Sequence, residues 1–119
     1  MKYYPILLLF VTMKLTCAQS NSKHITEFSH NDAKTGILID VRTPEEFQAG
    51  HLDNALNINW FDADFEKQIK GIDKKKTVYV YCKKGGRSLK AQEKLISMGF
   101  LQVVNLEGGY DAWQNQKTD

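Results

Sequence analysis

The sequence predicts an α/β domain on a mainly parallel, five-stranded sheet flanked by helices. Three observations carry this. Short apolar, strand-like runs occur at 36–40, 77–81 and 101–104. Helix-like stretches with recognisable start and stop residues alternate with them. Polar segments at Asp40-Val41-Arg42, Cys82 to Arg87 and Glu107-Gly108-Gly109 fall at strand ends, where open parallel sheets hold ligands.

In chain order, Ile25 to Phe28 reads as a first strand, and Ser29 caps a short helical turn through Ala33. Gly36 to Asp40 is almost continuously apolar, as in a strand buried on both faces. Thr43-Pro44-Glu45-Glu46 starts a helix: Thr43 is the N-cap, Pro44 the first helical residue, and Glu46 completes a capping box. Gly50 ends it. Ala55 to Asn59 alternates as a third strand, and Asp62 to Ile69 is helical, with Phe65 and Ile69 four residues apart. Lys74-Lys75-Lys76 reads as a solvated turn. Thr77 to Tyr81 is the fourth strand. Ser88 to Met98 is an amphipathic helix expected to turn Leu89, Leu95, Ile96 and Met98 to the core, and Gly99 stops it. Leu101 to Val104 is the fifth strand, followed by a glycine turn and a last helix carrying Trp113.

The chain has 119 residues, 42% apolar and 25% charged, which suits one globular domain. Residues 1–18 read as a signal peptide: a basic start at Lys2, a short apolar run from Pro5 to Met13, and small residues before Gln19. The run is too short for a stable membrane span. Export, to the periplasm, with cleavage before Gln19 is expected. A lipid anchor on Cys17 is the alternative, disfavoured by Thr16 and Lys14 at the positions that modification needs small and aliphatic. Residues 19–23 read as a flexible lead-in and 24–117 as the domain.

Cleavage removes Lys2 and Lys14, so 16 basic residues become 14 against 14 acidic ones. A neutral chain gives no ground for nucleic-acid binding. Of the two cysteines only Cys82 remains, so no internal disulfide can form. His24 and His30 lie near the expected flexible start, and with His51 they make no metal-ligand cluster with Cys82. His51, just past a helix end, is expected to cap or pack rather than act as a base. Nothing suggests an obligate partner, and a monomer is expected.

Cys82 is the chemically informative residue. It ends an apolar strand and opens the loop Cys82-Lys83-Lys84-Gly85-Gly86-Arg87, with a helix from about Ser88. Gly85 and Gly86 allow the backbone to turn its N–H groups inward. The helix start and the cations Lys83, Lys84 and Arg87 add positive charge. That setting favours a thiolate nucleophile and holds anions. The bland alternative is a buried cysteine before an ordinary glycine turn.

The chain here resembles the rhodanese family in three segments, in the family's order. These are Asp40-Val41-Arg42-Thr43-Pro44-Glu45-Glu46-Phe47 with Gly50-His51-Leu52; Cys82 to Ser88; and Leu106-Glu107-Gly108-Gly109-Tyr110-Asp111-Ala112-Trp113. The resemblance covers roughly residues 24–115. It implies a single three-layer domain with five parallel strands. It also implies a sulfurtransferase in which Cys82 carries sulfur as a persulfide from a small anionic donor such as thiosulfate to a thiol or cyanide. Loop donors Lys83, Lys84, Gly85, Gly86, Arg87 and Ser88 would bind substrate, and Asp40 and Arg42 would frame the pocket. No metal or organic cofactor is implied. Related phosphatases place five residues between cysteine and arginine; the four here favour sulfur transfer. A non-catalytic persulfide carrier is the main alternative, and a small phosphatase or arsenate-handling enzyme the lesser one. Asp53-Asn54-Ala55 departs from the family's proline-glycine-alanine, but Asn54 tolerates the left-handed turn that glycine would take.

Overall fold

The computed structural model describes residues 19–116. The expected signal peptide and Cys17 lie outside these residues, as does Lys117, the last residue of the expected domain.

The five strands are β1 (Gln19–His24), β2 (Ile37–Asp40), β3 (Leu56–Asn57), β4 (Val78–Tyr81) and β5 (Gln102–Glu107). They form one sheet in the order β1-β5-β4-β2-β3, and every pairing is parallel. The helices are α1 (His30–Thr35), α2 (Pro44–Ala49), α3 (Phe65–Ile69), α4 (Gly86–Ser97) and α5 (Gly109–Gln116). This is the expected α/β architecture.

Side-chain alternation along the strands divides the core into two layers. Val78, Val80 and Cys82 face one way, packing with Ile39, Phe65, Ile69, Ala91, Leu95 and Val103 beneath α3 and α4. Tyr79 and Tyr81 face the other, with Ile25, Leu38, Leu52, Val104 and Leu106, and α5 contributes Tyr110 and Trp113. Burial on both faces explains why β2 and β4 read as near-continuous apolar runs.

Helix starts lie close to their sequence signals. Ser29 and Asp32 form a reciprocal capping box on α1, as Thr43 and Glu46 do on α2 with Pro44 at its start. Gly50 closes α2, and Gly99 takes φ +96° after α4. Asn54 adopts φ +65°, the left-handed turn anticipated for it.

Four readings are corrected. The segment expected to be a flexible lead-in is strand β1, paired along its length with β5. Its residues are polar because it is an edge strand, where backbone pairing rather than apolar burial holds it. Ile25 to Phe28, read as a strand, is instead a 3-10 turn over Ile25–Glu27 that drops Ile25 fully into the core. His24, at the end of β1, accepts a hydrogen bond from the Thr26 amide. The third strand contracts to two residues, although the amides of Ile58 and Trp60 still reach the Asp40 and Val41 carbonyls. Finally, Leu89 is 48% exposed. The buried stripe of α4 is Ser88, Ala91, Gln92 and Leu95, a strict i, i+3, i+4, i+7 set that leaves no room for Leu89.

Candidate active site

The site is built on the junction between β4 and α4. β4 is wholly buried in mid-sheet, so its carboxyl end delivers Cys82 to a fixed place, 1% exposed. Gly85 follows with φ +128°, a conformation open to glycine at little cost. That turn directs the Gly85 N–H at Cys82 Sγ, 3.0 Å away. The Cys82 thiol donates to Ser88 Oγ at 3.4 Å, and Ser88 Oγ donates to the Gly85 carbonyl at 3.1 Å. Ser88 is fully buried, so the first turn of α4 sits directly against the sulfur. Gly86 has a negative φ and open space around it. The backbone curl therefore rests on Gly85 rather than on the pair.

A second clamp comes from α5. The Tyr110 amide donates to the Cys82 carbonyl at 2.8 Å and the Asp111 amide to the Lys83 carbonyl at 3.1 Å. These are first-turn amides that have no partner inside their own helix. Such close approach requires Gly109, which takes φ +62°. A Cβ there would lie 2.5 Å from the Cys82 carbonyl oxygen and closer still to that of Lys83.

The three loop cations divide. Lys83 and Lys84 are exposed. Arg87 instead makes a two-pronged ion pair with Glu46 of α2, at 2.7 and 3.0 Å. The Arg87 hydrogen bonds hold the Glu46 carboxyl down at about 2 against the opposing effect of burial, with help from Thr43. Glu46 in turn raises Arg87 above its ordinary value. Glu46 thus serves both the α2 cap and the loop. The Arg87 guanidinium also lies 5.5 Å from the centre of the exposed Phe61 ring. Sequence reading gave no role at the cysteine to Glu46 or to the Gly109 to Asp111 clamp, although the family-like segments contain them, and the capping-box motif pointed Glu46 to a different job.

Asp40 and Arg42 form a buried pair next to this assembly. Arg42 donates to both Asp40 oxygens through Nε and Nη2, the shortest bond being 2.6 Å, and to the Gly50 carbonyl at 2.7 Å. Burial alone would lower the Arg42 value, but the Asp40 hydrogen bonds and charge raise it. Its guanidinium lies 4.3 Å from the Tyr110 ring centre, so it braces the residue whose amide holds Cys82. Neither residue hydrogen-bonds the loop directly. Tyr81 accepts from the Leu52 amide, and burial pushes its hydroxyl far up, keeping it neutral. His51 Nδ1 donates to the Phe47 carbonyl at 2.8 Å and its ring stacks on that of Phe47 at 3.7 Å, so it packs at the end of α2. Among the described residues no group of three or more His, Cys, Asp or Glu side chains could hold a metal ion, and no helix is long and apolar enough to cross a membrane.

Chemically, the arrangement offers one recessed sulfur with an N–H aimed at it and a helix start beside it.

Comparison with known proteins places this geometry. Thiosulfate sulfurtransferase 16, chloroplastic, from Arabidopsis thaliana is 38% identical over 85 residues, covering 63% of this chain and 71% of the relative. The adenylyltransferase and sulfurtransferase UBA4 of Candida albicans is 43% identical over 89 residues, but the match spans 69% of this chain and only 20% of that protein. The crystal structure of a rhodanese-related protein from Thermoplasma volcanium superposes with a TM-score of 0.71 at 29% identity, covering 81% of this chain and 92% of that one. Residues 24–116 match the family model described as Rhodanese-like domain. With that match running from the end of β1 through α5, the chain belongs to the rhodanese-like domain family.

Proposed function

We propose that the protein is a sulfurtransferase that accepts sulfur from thiosulfate and carries it as a persulfide on Cys82. The Cys82 thiolate attacks the outer sulfur of thiosulfate. The S–S bond of the donor breaks, sulfite leaves with the electron pair, and Cys82 holds the sulfur as a terminal anion. An acceptor thiolate or cyanide then attacks that outer sulfur and releases the Cys82 thiolate. The route is covalent catalysis in two displacements, with no change in the total electron count. The observation that carries the reading is the Gly85 N–H, 3.0 Å from Cys82 Sγ at the start of α4. A donor so placed stabilises negative sulfur at low reorganisation cost. The sulfurtransferase names of relatives support the same class.

Lys83 and Lys84 draw the dianion to the loop in this reading, whereas the Arg87 charge is largely offset by Glu46. The purified protein should form thiocyanate from thiosulfate and cyanide, and Cys82→Ala should abolish it. Replacing Lys83 and Lys84 with Ala should raise KM for thiosulfate about tenfold while kcat changes less. Persulfide without turnover would make the protein a carrier. An unchanged KM would remove the lysines from substrate binding. The leader read in residues 1–18 adds export to this proposal, and a secreted chain beginning at Gln19 is the product to look for by mass.

A further inference from the structure

Phe61 is the most exposed large apolar side chain among the described residues, at 68%. It stands over Arg87, the last residue of the cysteine loop, and so occupies the rim of the site. The loop also displays Lys83 and Lys84, neither of which is ion-paired among the described residues. Two carboxylates near this rim are already engaged: Glu46 holds Arg87, and Asp62 accepts from the Asp64 amide and from Gln68. The chain from residue 19 onward carries 14 basic and 14 acidic residues, so this excess of positive charge is local.

Resting on the sulfur-transfer reading, we infer that Phe61, Lys83 and Lys84 form a docking rim for an acidic protein that presents a cysteine thiol as sulfur acceptor. Cys82 is recessed, so a macromolecular thiol reaches its sulfur only if the surface around that thiol rests on the rim. An exposed aromatic is the kind of residue that anchors such an interface once water is excluded. Unpaired lysines choose an acidic partner over a basic one and speed its approach. The transfer balances: the partner's thiolate attacks the outer sulfur on Cys82, the Cys82 S–S bond breaks, Cys82 leaves as thiolate, and the partner becomes the persulfide. An anionic membrane would also meet lysines and a phenyl ring, but it would bring no acceptor to the recessed sulfur.

The test uses the full protein loaded with thiosulfate and three single-cysteine peptides, acidic, uncharged and basic, each with one leucine beside the cysteine. Cyanide serves as the small acceptor, and phosphatidylglycerol vesicles serve as the membrane probe. The acidic peptide should be used about tenfold more efficiently than the basic one at low salt, with the gap closing as salt rises. Phe61→Ser should lower kcat/KM for the acidic peptide about fivefold and leave cyanide turnover within about twofold. Replacing Lys83 and Lys84 with Glu should reverse the peptide preference. Equal use of acidic and basic peptides, indifference to Phe61→Ser, or Phe61-dependent vesicle binding without peptide preference would each overturn the docking rim. Failure to load sulfur on Cys82 at all would overturn it together with the sulfur-transfer reading.

Discussion

Gly109 and Glu46 set the position of Cys82 from outside its own loop. At Gly109, any Cβ meets two carbonyl oxygens of the loop in a left-handed conformation that side chains resist. Gly109→Ala should therefore cost roughly 1–3 kcal/mol in a urea titration and slow persulfide formation by about tenfold or more. A variant as stable and as fast as the parent would show that the α5 clamp is dispensable. Glu46 has a carboxyl lowered from 4.5 to about 2, because Arg87 stabilises its charged form. A lowered carboxyl contributes stability above its unfolded value and loses it as pH falls through the folded one. Glu46→Gln should cost on the order of 1–2 kcal/mol near pH 7, allowing for its partial exposure. That difference should shrink below about pH 4.5 and vanish near pH 2. A gap that is constant across this range would show that the Glu46 charge is not the source of the loss. Cys82 and its loop were legible in the sequence because strand, glycine and cations are contiguous. The Glu46–Arg87 pair, 41 residues apart, and the clamp from Gly109 were not, since they exist only once the sheet brings α2, α4 and α5 to one end.

Strands buried on both faces declared themselves, and the polar edge strand β1 did not. β2 and β4 carry an apolar pattern that burial demands, whereas β1 is Gln-Ser-Asn-Ser-Lys-His and has no such pattern. Its hold comes from the β5 ladder, from Lys23 bonded to Asp32 of α1, and from Gln92. Gln92 Nε2 donates to the carbonyls of Asn21 and Val103, at 2.8 and 2.9 Å, so one buried side chain on α4 ties β1 to β5. Gln92→Leu would remove both bonds and take the Gln92 donor from the buried Val103 carbonyl, at a cost of roughly 1–3 kcal/mol. The loss should be local: amide hydrogen exchange should quicken along 19–24 while β4 stays protected. Uniform quickening through the sheet would show that β1 is no separate unit of stability. The misplacement of Leu89 has a related cause. Sequence periodicity gives the spacing of a stripe but not its phase, and here the polar Ser88 and Gln92 take the inward positions because the sulfur and the β1–β5 seam need hydrogen bonds.

The whole molecule directs its chemistry to one end. Five parallel strands carry Asp40, Cys82 and the Glu107-Gly108-Gly109 turn toward the same edge of the sheet, and α4 and α5 begin there. The start of α5 bonded to the loop carbonyls, the start of α4 beside a recessed thiol and a buried Asp40–Arg42 brace meet there, and in the proposed function they form the cradle for an anionic sulfur. The most direct test of that cradle is the intact mass of the protein after incubation with thiosulfate and removal of excess donor. One added sulfur atom, localised to Cys82 and lost on addition of cyanide, is the predicted result. An unchanged mass, or a sulfur that also appears in the Cys82→Ala variant, would contradict it.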